Sequence, residues 1–99
     1  MLYRQGDILV EKIAGIPEHA IKQKTLIIAS SDTTSHRHRI KDRDSAVLFS
    51  AARRMYLEVV EETAELVHPE HDTIVLTRGY YRVWHQREYG DIEPRTVMD

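Results

Sequence analysis

Two closely spaced pairs of histidines are the residues of this chain best suited to chemistry. His36 and His38 are separated by one residue, and His68 and His71 are separated by two. In a β-strand, residues two apart lie about 6.5–7 Å from each other with parallel side chains, so both imidazoles of the first pair can reach one ion. The second pair can converge across a tight turn. The four histidines therefore predict a divalent transition metal site for zinc, nickel, iron or copper.

Carboxylates next to the second pair could complete such a site. Glu70 lies between His68 and His71, and Asp72 follows directly. A metal with one position open to water lowers the pKa of that water, and Glu70 is then placed to accept the proton. The pattern therefore favours a metal-dependent hydrolase, whose small-molecule substrate the sequence does not identify.

The same histidines also fit two functions that need no metal. Imidazoles beside guanidiniums act as general acid and base on phosphodiesters, which would make His36 and His38 catalytic in a phosphodiesterase or nuclease acting on RNA or nucleotides. Strand alternation, however, points Arg37 and Arg39 to the opposite face, so a neighbouring strand or subunit would have to supply the arginine. The other alternative is a non-catalytic oligomeric binding module with ordinary surface histidines.

The remaining two histidines are interpreted as structural. His19 lies in a polar stretch, where an exposed imidazole needs no special role. His85 lies between Val83 and Arg87 on a face that alternation predicts to be half-buried. Neither residue is expected to belong to the site.

The composition is that of a soluble globular domain. The chain has 99 residues, of which 41% are apolar and 30% charged, with a formal net charge of −2 and no cysteine. The lack of thiols excludes disulfides and thiolate metal ligands, and the small negative charge gives no overall attraction to nucleic acid or anionic lipid. Because no leader or membrane-spanning run is visible, we expect a single cytoplasmic domain without a membrane partner.

Short apolar and β-branched segments, separated by turn signals about every ten residues, predict an all-β fold. The predicted strands cover residues 8–13, 25–29, 35–40, 46–49, 55–64, 65–68, 73–76 and 80–89, with turns at Pro69-Glu70 and Arg78-Gly79. Seven or eight short strands on so few residues favour a small barrel or a two-sheet sandwich. Residues 1–89 would form this domain, and residues 90–99 an extended C-terminal arm.

Residues 52–64 are the most ambiguous segment. Alanine, methionine, leucine and glutamate favour a helix there, whereas Tyr56, Val59 and Val60 favour a strand. We expect a strand, because short strands surround the segment on both sides.

Aromatic residues on both faces of the last predicted strand suggest self-association. Tyr81 and His85 share one face, and Tyr80 and Trp84 share the other. One face would meet the core and the other a second subunit, since a small monomer would otherwise expose Tyr81 or Trp84. The sequence therefore predicts a homo-oligomer.

Five segments of the chain resemble, in the same order, a group of short uncharacterised bacterial and phage-borne proteins. They comprise residues 3–9, 35–40, 66–71, 86–89 and 95–99. Ser35 stands where that group has glycine, and Thr77-Arg78 where it has two prolines. The resemblance implies that both histidine segments belong to the pattern of the group.

The pair His36 and His38 is also similar to the first metal-binding motif of the cupin barrels. In those proteins two such histidines bind the metal together with a glutamate and a later histidine. No glutamate follows His38 at the expected short distance, because residues 39–44 read RIKDRD. The similarity to cupins is therefore one of architecture.

Overall fold

A computed structural model gives the structure of residues 1–30 and 36–86, which form eight antiparallel β-strands. The strands are β1 (Leu2–Gln5), β2 (Ile8–Ile13), β3 (Ile21–Lys22), β4 (Ile27–Ser30), β5 (Arg37–Ile40), β6 (Ala46–Ala51), β7 (Arg54–His68) and β8 (His71–His85). No α-helix occurs in the described residues. The all-β class and the predicted number of strands are confirmed.

All eight strands belong to one sheet, whose main path has the order β1-β2-β8-β7-β5-β4. The first part of β7 pairs with β6, which in turn pairs with β3, and the last part of β7 pairs with β5. The sheet is not closed into a barrel, and its strands do not divide into two sheets. The fold is therefore one open sheet, not the predicted closed barrel or two-sheet sandwich. Along one edge, β7 pairs first with β6 and then with β5, which keeps these strands in the same sheet.

β7 and β8 are continuous strands of 15 residues each, where the sequence predicted two shorter strands in each place. A straight strand of that length would span roughly 45 Å, but the longest dimension of the molecule is 29 Å, so both strands must bend. The bend lies near Gly79, which has a φ of 145°, and near a register shift between Val59 and Thr63. The predicted turn at Arg78-Gly79 is wrong, since the chain bends there without reversing. The choice of strand over helix for residues 54–64 is confirmed.

The main core lies between the curved strands and follows the predicted alternation. In β5, His38 and Ile40 are buried whereas Arg37 and Arg39 are exposed. Leucine, isoleucine and valine side chains from six strands form one buried cluster, which Tyr81 joins. His38 therefore points inward, on the face that strand alternation gives it together with Ile40.

Trp84 packs within the same chain instead of facing a partner. It is 5% exposed and forms a second small cluster with Leu2 and Leu9, and the guanidinium of Arg82 lies 4.2 Å from its ring centre. Tyr81 is 1% exposed. The strand β1, which the sequence analysis had not recognised, covers the tryptophan. Tyr81 and Trp84 therefore give no support for self-association, and the homo-oligomer stays a prediction.

Two further expectations concern the ends of the chain and the membrane. The predicted arm at residues 90–99 lies outside the described residues. Among residues 1–30 and 36–86, no helix is long and apolar enough to cross a membrane.

Candidate metal centre

The candidate site forms where both ends of β8 meet the β1–β2 turn. At one end, the Gln5 side chain donates a hydrogen bond to the backbone carbonyl of Asp72. At the other end, His85 Nδ1 lies 3.5 Å from Asp7 Oδ2. β5 pairs with the end of β7, with Arg39 opposite Val67, and thereby adds its histidines to the same region.

Three of the predicted histidines form a compact cluster, and the fourth lies at its edge. The ring centres of His38 and His68 are 4.3 Å apart, those of His68 and His71 4.7 Å, and those of His38 and His71 6.0 Å. Three imidazoles that bind one zinc ion have ring centres roughly 5 Å apart. His36 lies outside this triangle, with its ring centre 5.8 Å from that of His68. The structure thus brings together all four predicted histidines.

The orientation of His38 is fixed by the buried side chain of Gln5, which is 1% exposed. The amide Nε2 of Gln5 donates to the carbonyls of Leu66 at 3.0 Å and Asp72 at 2.9 Å. Its Oε1 is therefore an acceptor, and His38 Nδ1–H donates to it at 2.9 Å. A neutral imidazole with its proton on Nδ1 has a free lone pair on Nε2. His38 consequently presents Nε2 as a ligand atom.

The carboxylate of Asp7 lies beside that ligand atom. Its Oδ1 is 3.9 Å from His38 Nε2, and its Oδ2 faces His85. Asp7 also acts electrostatically on His68. The negative charge of Asp7 therefore borders the imidazoles of His38 and His85.

The pKa of His38 is lowered from 6.5 to about 4. Burial is the largest cause, because it penalises the imidazolium form, and repulsion from His68 is the next. Asp7 opposes these effects without reversing them. Burial also lowers the pKa of His68, together with repulsion from His71 and His36. His38 is therefore neutral throughout the physiological range of pH.

Acidification is expected to destabilise the domain through His38. The unfolded chain protonates this imidazole near pH 6.5 and the folded chain only near pH 4, so protons favour the unfolded state between these values. The free energy of unfolding should fall as the pH decreases through this range, by about 2–3 kcal/mol from His38 alone. Urea unfolding at about pH 7 and about pH 4.5 measures the fall.

The matched variant for this test is His38→Gln, whose side chain does not take up the proton. Its free energy of unfolding should depend less on pH than that of the wild type, by the same about 2–3 kcal/mol. An equal pH dependence in both proteins would show that His38 is not held in its neutral form.

Glu70 holds the tip of the β7–β8 hairpin against the start of β5. Its carboxylate Oε1 lies 2.6 Å from His36 Nδ1, and its backbone N–H donates to His68 Nδ1 at 3.0 Å. A neutral His68 ring that accepts this bond at Nδ1 carries its proton on Nε2. His68 must therefore rotate or change tautomer before Nε2 can bind a metal. The role of Glu70 as a proton acceptor stays a prediction.

The ring nitrogens do not converge on one point in this conformation. Within residues 1–30 and 36–86, no three histidine, aspartate or glutamate side chains are arranged so that they could hold a metal ion as they stand. The rings of His38 and His71 are nearly parallel, at 15°, and His68 Nδ1 is bonded to the turn. The distances between the rings fit one ion, but the rings would have to rotate before their nitrogens could bind it together.

The His71 ring packs against Gly6, where there is no room for a side chain on residue 6. A Cβ atom on this residue would lie 2.8 Å from His71 Nε2, and Gly6 has a φ of 61°, which favours glycine. Gly6→Ala should therefore displace the His71 ring from the cluster and lower the free energy of unfolding by about 1–2 kcal/mol. Urea unfolding measures the stability, and the ring resonances of His71 report its displacement.

Gly15→Ala is the control for this substitution. A Cβ atom at Gly15 would meet nothing within 4 Å, and its φ lies outside the left-handed region. Its stability should stay within about 0.5 kcal/mol of the wild type. A Gly6→Ala protein with unchanged stability and an unchanged His71 environment would contradict the close approach.

The candidate site also includes Gln5, Asp7 and His85, which the sequence did not predict. Gln5 and Asp7 flank the turn glycine, but only the long-range contacts of β1 reveal that the Gln5 amide is buried. For His85 a signal did exist, because alternation placed it on the same face as Tyr81 and Val83, which are both buried. His85 lies beside Asp7 at the edge of the candidate site, and its structural role stays a prediction.

Comparison with known families identifies a match that spans the candidate site. The family described as Domain of unknown function (DUF8820) matches residues 4–86, which include every residue of the candidate site. No curated protein and no solved structure matches the chain significantly. The match agrees with the expected resemblance to uncharacterised proteins, whereas a bacterial or phage origin and a likeness to cupins are not shown. The chain belongs to the DUF8820 family.

Proposed function

We propose that this domain binds one divalent transition metal ion through the imidazoles of His38, His68 and His71, with Asp7 beside the ion. The observation that carries the proposal is the hydrogen bond from His38 Nδ1 to Gln5 Oε1. Metal-binding histidines regularly donate their second ring N–H to a fixed acceptor, which sets the tautomer and the ring orientation. Gln5 is such an acceptor, because two backbone carbonyls hold its amide group.

The lowered pKa of His38 favours a metal ligand over an acid–base catalyst. A general base works best when its pKa is near the working pH, and a value of about 4 is far below neutrality. A metal ligand only has to be unprotonated when the ion arrives, and a pKa of about 4 meets that requirement at neutral pH. The metal-free phosphodiesterase is therefore the weaker of the two hypotheses for His38.

Formation of the site requires movement only in the hairpin tip. His38 is already oriented by Gln5, whereas His68 and His71 flank an exposed turn. Rotation of His68 would release the Glu70 backbone N–H to solvent and turn the ring toward the ion. Nitrogen donors with one nearby carboxylate suit zinc, nickel, iron or copper.

Three histidine ligands leave one position of a tetrahedral ion for water. A bound zinc ion lowers the pKa of this water toward neutrality, which is the basis of metal-dependent hydrolysis. Asp7, beside His38, or Glu70, beside His36, would accept its proton. Hydrolysis is part of the proposal, and it depends on the metal being bound first.

Calorimetric titration of the untagged, chelator-treated protein with Zn²⁺ tests the proposal. One saturable site per chain is expected. His19→Ala is the matched control, because His19 is exposed and lies outside the cluster, and it should bind Zn²⁺ as the wild type does. Absence of saturable Zn²⁺ binding in the wild type, or loss of Zn²⁺ binding in the His19→Ala protein, would contradict the proposal.

A further inference from the structure

An open groove adjoins the histidine cluster on the side of β5 that carries arginines. Its volume is about 550 Å³, and it is lined by Arg37, Arg39, Val67, His68 and Pro69. Arg37 and Arg39 are two residues apart on the exposed face of the strand, so their side chains leave the sheet about 6.5–7 Å apart. Two guanidiniums thus form one wall of the groove.

The charge of these arginines is not neutralised by an ion pair in the part of the chain that the structure describes. The salt bridges there involve Arg82 and three of the histidines. Guanidinium groups bind oxyanions with paired, charge-assisted hydrogen bonds. The groove is therefore suited to a ligand that carries several oxygen atoms and negative charge.

His68 connects this groove to the histidine cluster. Its ring lies 4.3 Å from that of His38 and 4.7 Å from that of His71, and the same residue lines the groove. The sequence alone separated the arginines from the histidines, because Arg37 and His38 point to opposite faces of β5. His68 on β7 links the two, since its ring belongs to the cluster and the residue also lines the groove.

We infer that the groove binds a phosphoryl group, held by Arg37 and Arg39 next to the metal site, so that the ligands of this site are phosphate esters. The inference rests on the proposed function for its metal, but the arginines would bind the anion on their own. A phosphoryl group fits better than a carboxylate because its additional oxygens can engage two separate guanidiniums at once. Val67 and Pro69 give the groove an apolar floor against which the rest of an ester could pack.

Titration of the chelator-treated protein with inorganic phosphate, followed by amide NMR shifts, tests the inference. Saturable shifts are expected at Arg37, Arg39 and His68 in the wild type. Arg37→Gln/Arg39→Gln should weaken phosphate binding at least about tenfold, since two charge-assisted contacts are lost. Arg43→Gln/Arg54→Gln removes the same charge elsewhere and should leave phosphate binding unchanged. Acetate at the same concentrations should bind more weakly than phosphate.

Zn²⁺ titration of the same variants separates this inference from the metal proposal. Arg37→Gln/Arg39→Gln should bind Zn²⁺ as tightly as the wild type, and His38→Ala should lose Zn²⁺ but keep phosphate binding. A wild type that binds Zn²⁺ without phosphate would overturn the inference and leave the metal site standing. Equal losses of phosphate binding in the two double arginine variants, or acetate binding as tight as phosphate binding, would also overturn the inference.

Discussion

Replacement of His38 by alanine is expected to lower the affinity of the protein for Zn²⁺ by at least about 100-fold. Loss of an outer partner of a metal ligand typically reduces affinity by about 10- to 100-fold, and loss of the ligand itself should exceed this. His38 is the one cluster histidine whose tautomer is fixed by a buried acceptor, so no other ring can replace it without rearrangement. Competition titration with a zinc-binding dye measures the affinity.

A thermal measurement keeps this prediction testable if the variant is less stable. Zn²⁺ stabilises any protein that binds it only in the folded state, and the melting temperature of the wild type should therefore rise with Zn²⁺. The melting temperature of His38→Ala should not respond to Zn²⁺, whereas that of His19→Ala should respond as the wild type does. A His38→Ala protein with wild-type affinity would remove His38 from the site.

Gln5→Leu is expected to lower the free energy of unfolding by about 3–4 kcal/mol, the largest effect on stability that we predict. The substitution leaves two backbone carbonyls and the Nδ1–H of His38 without their partner, and each unsatisfied buried group costs about 1–3 kcal/mol. Because Gln5 also orients His38, Zn²⁺ affinity should fall by about 10- to 100-fold. Urea unfolding and zinc titration measure the two effects.

Gln23→Leu is the matched control for this substitution. The amide of Gln23 also donates two hydrogen bonds, to the Ile21 carbonyl and the Ser50 hydroxyl, but it does so near the surface. Water can replace these bonds, so the loss of stability should stay below about 1 kcal/mol. Similar losses at Gln5 and Gln23 would show that the Gln5 network is not essential for the fold.

Local alternation was sufficient to predict which side of β5 faces inward. The alternation of residues 36–40 predicts that His36, His38 and Ile40 share the inward face; His38 and Ile40 are buried, whereas the side chain of His36 is 36% exposed. The turn at Pro69-Glu70 likewise predicted that His68 and His71 lie next to each other, and they face each other across the hairpin. Both conclusions depend on neighbours within a few residues, which is the range over which side-chain alternation and turn residues act.

The rest of the site depends on contacts between distant parts of the chain. Gln5 reaches Leu66 and Asp72 only because the curved sheet brings β1 to the end of the β7–β8 hairpin. His85 lies beside Asp7 because β2 pairs with β8, a strand far away in the sequence, with Ile8 opposite His85. No local pattern specifies the curvature of the sheet. Gly79 locally predicts a turn between two short strands, not a bend within one long strand. The burial of Trp84 was missed for a related reason, because it depends on a first strand that carries no strong signal of its own.

An NMR spectrum that correlates the ring nitrogens of histidine with their carbon-bound protons, recorded with and without Zn²⁺, tests the central claim most directly. The spectrum distinguishes a protonated from an unprotonated ring nitrogen for each histidine. We expect His38 to have its proton on Nδ1 in the free protein, and the Nε2 resonances of His38, His68 and His71 to shift on addition of one equivalent of Zn²⁺. A proton on Nε2 of His38, with no response to Zn²⁺, would contradict the metal site.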